Sequence, residues 1–179
     1  ATFGRRTVSG WVEVDFRLSD EDEQRVVDAY PALRRFAFAV ADLDCDPDDL
    51  LHEALVRVLD RKPIGEIEDL TAYVCRAITN VASNRRRSLG RRRRAIDRLG
   101  VGSGEETSTP AVPSDLAELM VLDPPKRAAL YLFAVEGYSH RQVAEALDIT
   151  VVAARSRVSK ALKLLRANMA EEVHAIDAG

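Results

Sequence analysis

The stretch Gly100 to Ser114, reading GVGSGEETSTPAVPS, cuts the apolar pattern of this chain in two. It is rich in Gly, Ser, Thr and Pro and carries neither helical nor strand periodicity, which is the composition of a flexible, partly extended tether. Each flanking block then needs a core of its own, and the two modules are expected to move independently unless a partner holds them. A length of 179 residues accommodates two small modules, and 46% hydrophobic with 31% charged residues is the balance of an ordinary folded protein.

Charge is divided as unevenly as hydrophobicity. The formal net charge of −3 argues by itself against a partner that is a polyanion, yet the average hides two opposite regions. Acids crowd the first half, at Asp20, Glu21, Asp22 and Glu23 and again at Asp42, Asp44, Asp46, Asp48 and Asp49. Between Arg85 and Arg98 stand eight arginines against one acid, Asp97. Such polarity implies separate surfaces for separate partners.

In the first block, Ser19 is placed to cap a helix with an acidic first turn. Pro31 fits poorly in a helix interior and is expected to start a second segment, through Leu33, Phe36, Ala37 and Val40. Asp46-Pro47-Asp48-Asp49 is a helix start, with a capping carboxylate and proline at the first position, ahead of the stripe Leu51, Ala54, Leu55, Val58 and Leu59. A third helix carries Leu70, Tyr73, Val74, Ala77, Ile78 and Val81 on one face. Its other face holds Arg76, Thr79, Asn80, Ser83, Asn84 and Arg87, side chains able to bond phosphates and base edges. The arginine run continuing from that face favours a phosphate backbone over a merely solvated surface, through counterion release.

In the second block, Leu116, Leu119 and Met120 suggest a short helix, and Asp123-Pro124-Pro125 stops it and opens another through Ala129, Leu132 and Phe133, closed by Gly137. Ser139-His140-Arg141-Gln142 has the form of a capping box for a helix bearing Val143, Ala144 and Leu147. Thr150 caps the next, with the stripe Ala154, Val158, Ala161, Leu162 and Leu165. Two helices joined across Asp148 and Ile149 form a helix-turn-helix, whose second helix enters the major groove. Its exposed face centres on Val152, Ser156, Ser159, Lys160 and Lys163, flanked by Arg155 and Arg157, with no glutamate between Ile149 and Ala170.

These segments resemble the extracytoplasmic-function sigma factors of bacterial RNA polymerase. DPDDLLHEALVRVLD from Asp46 is similar to that family's D-A-E-D-L-V-Q-E-x-x-x-R-x-W segment, and TAYVCRAITNVASNRRR from Thr71 to its W-L-x-R-I-A-x-N-x-A-x-D-x-x-R helix. EGYSHRQVAEALDITVVAARSRVSKALKLLR from Glu136 resembles its G-x-S-x-x-E-I-A-x-x-L-x-I-x-x-x-T-V-x-S-R-x-x-R-A pattern. The resemblance covers most of Leu33 to Asn168 and implies an all-α chain of two small helical domains joined by a flexible linker. These are a region 2-like domain at 19–99, the linker at 100–114 and a region 4-like helix-turn-helix domain at 115–179, after an N-terminal extension at 1–18.

The function implied is binding of core RNA polymerase, at its clamp and flap, with promoter recognition, DNA melting and transcription initiation. Carried over by position, the minus-10 readers are Arg76, Asn80, Ser83 and Asn84, with Arg85, Arg86 and Arg87 on phosphates. The minus-35 readers are Arg155, Ser156, Ser159 and Lys160, and the polymerase-docking face includes Asp49, Leu50, His52, Glu53, Val56 and Arg57. An anti-sigma factor is an optional third partner. The family's tryptophan is Tyr73 here, and the loop that captures a flipped base falls in Pro63 to Asp69, unusually acidic through Glu66, Glu68 and Asp69.

Other readings fit less well. Asp42, Asp44, Asp46, Asp48 and Glu53 match positions 1, 3, 5, 7 and 12 of a calcium loop, but Pro47 stands where the turn needs glycine, so helix capping is preferred. His52, His140 and His174 have no ligand spacing, and neither a glycine-rich phosphate loop nor a nucleophile elbow occurs, so no metal, cofactor or enzymatic activity is expected. Cys45 and Cys75 read as small buried residues. No apolar run approaches the ~18 residues of a membrane span, and the expected location is the cytoplasm without membrane insertion. Alternation from Trp11 to Leu18 fits a strand that either covers exposed core or adds to a partner, the former being preferred. The alternative function is a transcriptional regulator that binds DNA by the helix-turn-helix alone, with the N-terminal half as a protein-interaction domain.

Overall fold

The computed structural model describes residues 3–7, 10–14, 18–98 and 119–177, with side chains described for 18–96, 98 and 119–170. The linker expected at 100–114 lies outside the described residues, as does Leu116. Six α-helices account for most of the described chain: α1 Asp20–Val40, α2 Pro47–Leu59, α3 Leu70–Arg98, α4 Pro124–Ala134, α5 His140–Leu147 and α6 Val151–Asp177. The protein is all-α apart from an antiparallel hairpin, β1 Phe3–Thr7 and β2 Gly10–Val14, with Phe3 opposite Val14 and Thr7 opposite Gly10. That pairing makes part of the alternating N-terminal segment a strand with its own partner in the chain. Its side chains lie outside the described residues.

Caps set the helix starts. Ser19, Asp46, Asp123 and Ser139 each accept a backbone N–H of the first turn, and Ser139 and Gln142 complete a reciprocal capping box. Asp69 does the same for α3, accepting from Ala72 N at 2.8 Å, and Thr150 for α6, accepting from Ala153 N at 3.1 Å. Pro31 does not start a second segment as expected, since α1 runs unbroken through it. Pro31 lies on the exposed side, so water can satisfy the carbonyl its missing N–H leaves free, while Leu33, Phe36, Ala37 and Val40 stay buried on the other side.

The two halves are not separate bodies in this conformation. A single apolar cluster runs from Leu33, Phe36 and Val40 on α1 through Val74 and Ile78 on α3 to Ala128, Leu132 and Val143 in the second half. Phe36 meets Tyr131 edge-on with ring centroids 5.7 Å apart. Apolar faces that sequence patterning assigns to each module's own core are instead shared, which departs from the expected independence of the halves.

The most buried charge holds this junction. Arg127, 2% exposed, donates to the Val40 carbonyl at 2.7 Å and to Asp42 at 2.6 Å, while Met120 Sδ accepts from it at 3.1 Å. Its two terminal nitrogens are met while Nε is buried without a partner, so the buried charge depends on Asp42 and the Val40 carbonyl, and these tie α4 to the end of α1. Arg86 of α3 adds a donation to the Leu122 carbonyl at 2.8 Å and approaches Asp42 to 3.6 Å.

Candidate nucleic-acid interface

α3 presents the first set of expected DNA readers, and its length decides what they can reach. At 29 residues it extends about 43 Å, and its C-terminal arginines Arg91 to Arg94 are all exposed. Asn80, Asn84 and Arg87 are exposed on the same helix, with Arg87 donating to Asn84 Oδ1 at 2.7 Å and to the Ser83 carbonyl at 3.2 Å. These contacts are local and can be exchanged for phosphate without disturbing the fold.

The remaining residues of that set are engaged inside the protein. Ser83 donates to the Thr79 carbonyl at 2.7 Å. Arg76 pairs with Asp148 of the helix-turn-helix at 3.0 Å and lies over the Tyr73 ring, 5.4 Å from its centroid. Arg85 donates to Glu53 and, at 2.8 Å, to the Cys45 sulfur, so it brackets α3 to α2. Burial works against its charge, but Glu53 and Cys45 outweigh that and hold its pKa above the ordinary value. Arg85 and Arg86, expected on phosphates, are therefore internal ties in this structure, because Glu53 and Asp42 lie within reach.

The acidic loop is pinned rather than loose. Ile64–Glu66 forms a 3-10 turn, and Arg25 of α1 donates to the carbonyls of Ile64 at 2.9 Å and Ile67 at 2.5 Å. Ile64 and Ile67 are buried, leaving Glu66 and Glu68 exposed while Asp69 caps α3. A cavity of about 560 Å³ opens between this loop, Tyr73 and Arg76 on one side and Gln142 and Glu145 of α5 on the other.

The second expected reading surface is open. α5 ends in Asp148, whose left-handed backbone (φ 54°) turns the chain into α6, and Ala154, Val158 and Ala161 anchor α6 to the core. On its outer side Arg155, Ser159 and Lys160 are exposed and Ser156 is half-buried. Beside them a groove of about 430 Å³ has Phe133, Val158 and Leu162 at its floor and Arg155, Lys163 and Arg166 along its rim.

On α2, Asp49, His52 and Val56 are exposed at three- and four-residue steps and share a face with Arg57. Glu53, half-buried beside them, binds Arg57 at 2.5 Å as well as Arg85. Leu50 is a correction to the expected docking face. It is fully buried with Ala54 and Val58, one and two turns along, and belongs to the core.

Residues 116–165 match the family model for sigma-70, region 4. The fold as a whole is similar to the sigma factor RpoE from Bartonella quintana, solved with the anti-sigma factor NepR, at 22% identity and a TM-score of 0.65, covering 83% of this chain and 96% of that one. It is also similar to CnrH, solved with the cytosolic domain of CnrY, at 25% identity and a TM-score of 0.52, covering 84% and 88%. Residues 116–165 thus carry a sigma-70 region 4 domain, within a fold similar to those of RpoE and CnrH. No curated protein matches the sequence significantly. No helix among the described residues is long and apolar enough to cross a membrane.

Sequence reasoning missed Arg25 and Arg127. Their partners are carbonyls and a carboxylate 39 to 87 residues away, beyond any local spacing rule.

Proposed function

We propose that this chain is a sigma factor that binds core RNA polymerase, directs it to promoters and takes part in opening the duplex. The observation that carries the proposal is the pairing, in one chain, of a helix-turn-helix whose second helix exposes Arg155, Ser159 and Lys160 with a long α3 whose outer face bears Asn80, Asn84 and Arg87. α6 reads the minus-35 element in the major groove, and α3, with Arg76, Asn80, Ser83 and Asn84, reads the minus-10 element. The exposed α2 face of Asp49, His52, Val56 and Arg57 docks on the polymerase clamp, and the second half docks on the flap. Neither half offers enough contacts to hold a promoter alone, and the polymerase supplies the effective concentration for both. RpoE was solved with the anti-sigma factor NepR and CnrH with the cytosolic domain of CnrY, and a regulatory protein partner in the cytoplasm is part of this reading.

Reconstituted transcription tests the proposal: core polymerase plus this chain gives initiation at discrete sites, mapped by sequencing transcript ends. A regulator that uses the helix-turn-helix alone gives no transcript unless another sigma factor is added, and that result would refute the reading.

A further inference from the structure

Val152 is the most exposed large apolar side chain among the described residues, at 79%, and Val151 beside it is 41% exposed. Neither placement serves the fold. β-Branched valine is a weaker helix former than alanine, and mostly exposed methyls gain little from folding. Thr150 caps the first turn of α6, accepting from Ala153 N at 3.1 Å, so the start of the helix is fixed and a β-branched side chain there keeps essentially one rotamer. Val152 is therefore a rigid pair of methyl groups held out from the protein, one helical turn ahead of Ser156 and on the same side of α6 as Ser159.

We propose that Val152 reads the C5-methyl of a thymine in the major groove, so that the minus-35 element carries a T·A pair fixed by apolar contact close to the pair faced by Arg155. The proposal rests on the reading of α6 as the minus-35 helix. Residues in the first turns of a recognition helix reach base edges, and of the four bases thymine alone offers a methyl there, against which an aliphatic side chain packs. Val152 and Arg155 are three residues and about 4.5 Å apart along the helix axis, so the base pairs they face, stacked ~3.4 Å apart, are neighbours or next neighbours. The surroundings favour DNA over a protein partner. Two valines expose far less than the ~800 Å² per partner that a stable protein interface buries. No acid stands between Ile149 and Ala170, and Arg155 and Lys160 are exposed on the same helix. Val152 also falls at one of the positions left open by the family pattern that Glu136 to Arg166 resembles, so the preference belongs to this chain rather than to the pattern.

Exchange of thymine for uracil tests this, since it removes the methyl and keeps the pairing edge. The full chain and core RNA polymerase first select a minus-35 element from a template pool randomised there. Each thymine of that element, on either strand, is then replaced by deoxyuridine. Wild type is expected to lose about fourfold in initiation at one position, the worth of one methyl taken out of water, and Val152→Ala to initiate equally from both templates. Val152→Ile, which keeps the apolar contact, is expected to retain the preference for thymine. Both variants change an exposed position, and helical circular dichroism checks that they fold. A selected element without thymine, or a wild type indifferent to uracil at every position, would overturn the proposal. So would Val152→Ala keeping the wild-type ratio of thymine to uracil, and uniform weakness at that ratio would mark a protein contact instead. A wild type that initiates from no template removes the sigma reading but not the DNA-binding role of α6. The same exchange is then read in binding of the chain to the duplex pool, where indifference to uracil overturns the role of Val152.

Discussion

Arg85 of α3 grips Glu53 of α2 through two nitrogens, its Nε donating across 2.9 Å, and the same guanidinium donates to Cys45 at 2.8 Å. It thus joins the end of the α1–α2 loop, the middle of α2 and the middle of α3. Glu53→Ala is expected to lower the stability of the folded chain by about 1 to 2 kcal/mol, the scale of a charge-assisted hydrogen bond discounted for partial exposure. Urea denaturation followed by circular dichroism measures it, and a midpoint equal to wild type would show that the bracket contributes nothing.

Arg85 and Arg87 stand two positions apart and face different fates. Arg87 is exposed with only contacts inside its own helix, whereas Arg85 is tied to Glu53. Binding to promoter fragments in the presence of core polymerase, measured across a salt series, is expected to lose about 0.9 from its log–log slope with Arg87→Ala. Arg85→Ala is expected to leave the slope unchanged while lowering stability. Equal slopes for both variants would mean that Arg85 leaves Glu53 to meet phosphate.

Asp123 supplies the pH dependence of the α4 start. Burial would raise its pKa, but the side chain and backbone N–H of Lys126, with Arg86 nearby, lower it by more, so the carboxyl lies below its ordinary value of 3.8. A depressed carboxylate stabilises the fold above the unfolded-state value, and that contribution fades as pH falls through the lower folded value. Asp123→Asn keeps a capping group without the charge. The stability gap between wild type and Asp123→Asn is therefore expected to be constant near neutral pH and to shrink below about pH 4. Urea titrations at stepped pH show it, and a gap that widens on acidification would reverse the argument.

The cysteines differ in the same legible way. Cys75 is buried and its thiol is pushed up to about 12 by burial, with Asp69 and Glu136 adding to it. Cys45 is half-buried, and burial raises its pKa against the opposing Arg85. Thiol labelling at mildly alkaline pH is expected to modify Cys45 alone, slowly, in the folded chain and both residues in urea. Mass spectrometry of the labelled peptides decides, and rapid native labelling of Cys75 would contradict its place in the core.

Local rules made much of this fold readable. Stripes such as Leu70, Val74, Ile78 and Val81 or Ala154, Val158 and Ala161 are buried as their spacing requires, and the caps Ser19, Asp46, Ser139 and Thr150 form through contacts within three residues. Pro31 shows where such a rule overreached, because an exposed proline can remain in a helix whose buried stripe continues past it. What patterning could not supply was the meeting of the halves. The Arg127–Asp42 pair joins residues 85 apart, and the arginines Arg76, Arg85 and Arg86, expected at DNA from the polar face of the third helix, the arginine run beyond it and the family resemblance, acquire carboxylate partners only once α1, α2, α3 and the helix-turn-helix are packed.

The minus-35 assignment stands on α6. Arg155 and Lys160 are exposed and take no part in the core to which Ala154, Val158 and Ala161 belong. Truncating both is thus expected to leave the melting midpoint within the small range of surface substitutions, about 0.5 kcal/mol. Two lost cations weaken duplex binding by counterion release, and a lost base contact adds about 1 to 3 kcal/mol. Arg155→Ala with Lys160→Ala is therefore expected to abolish promoter-specific initiation while circular dichroism and urea midpoints stay near wild type. Initiation unchanged in the double variant would take the minus-35 role away from this helix face.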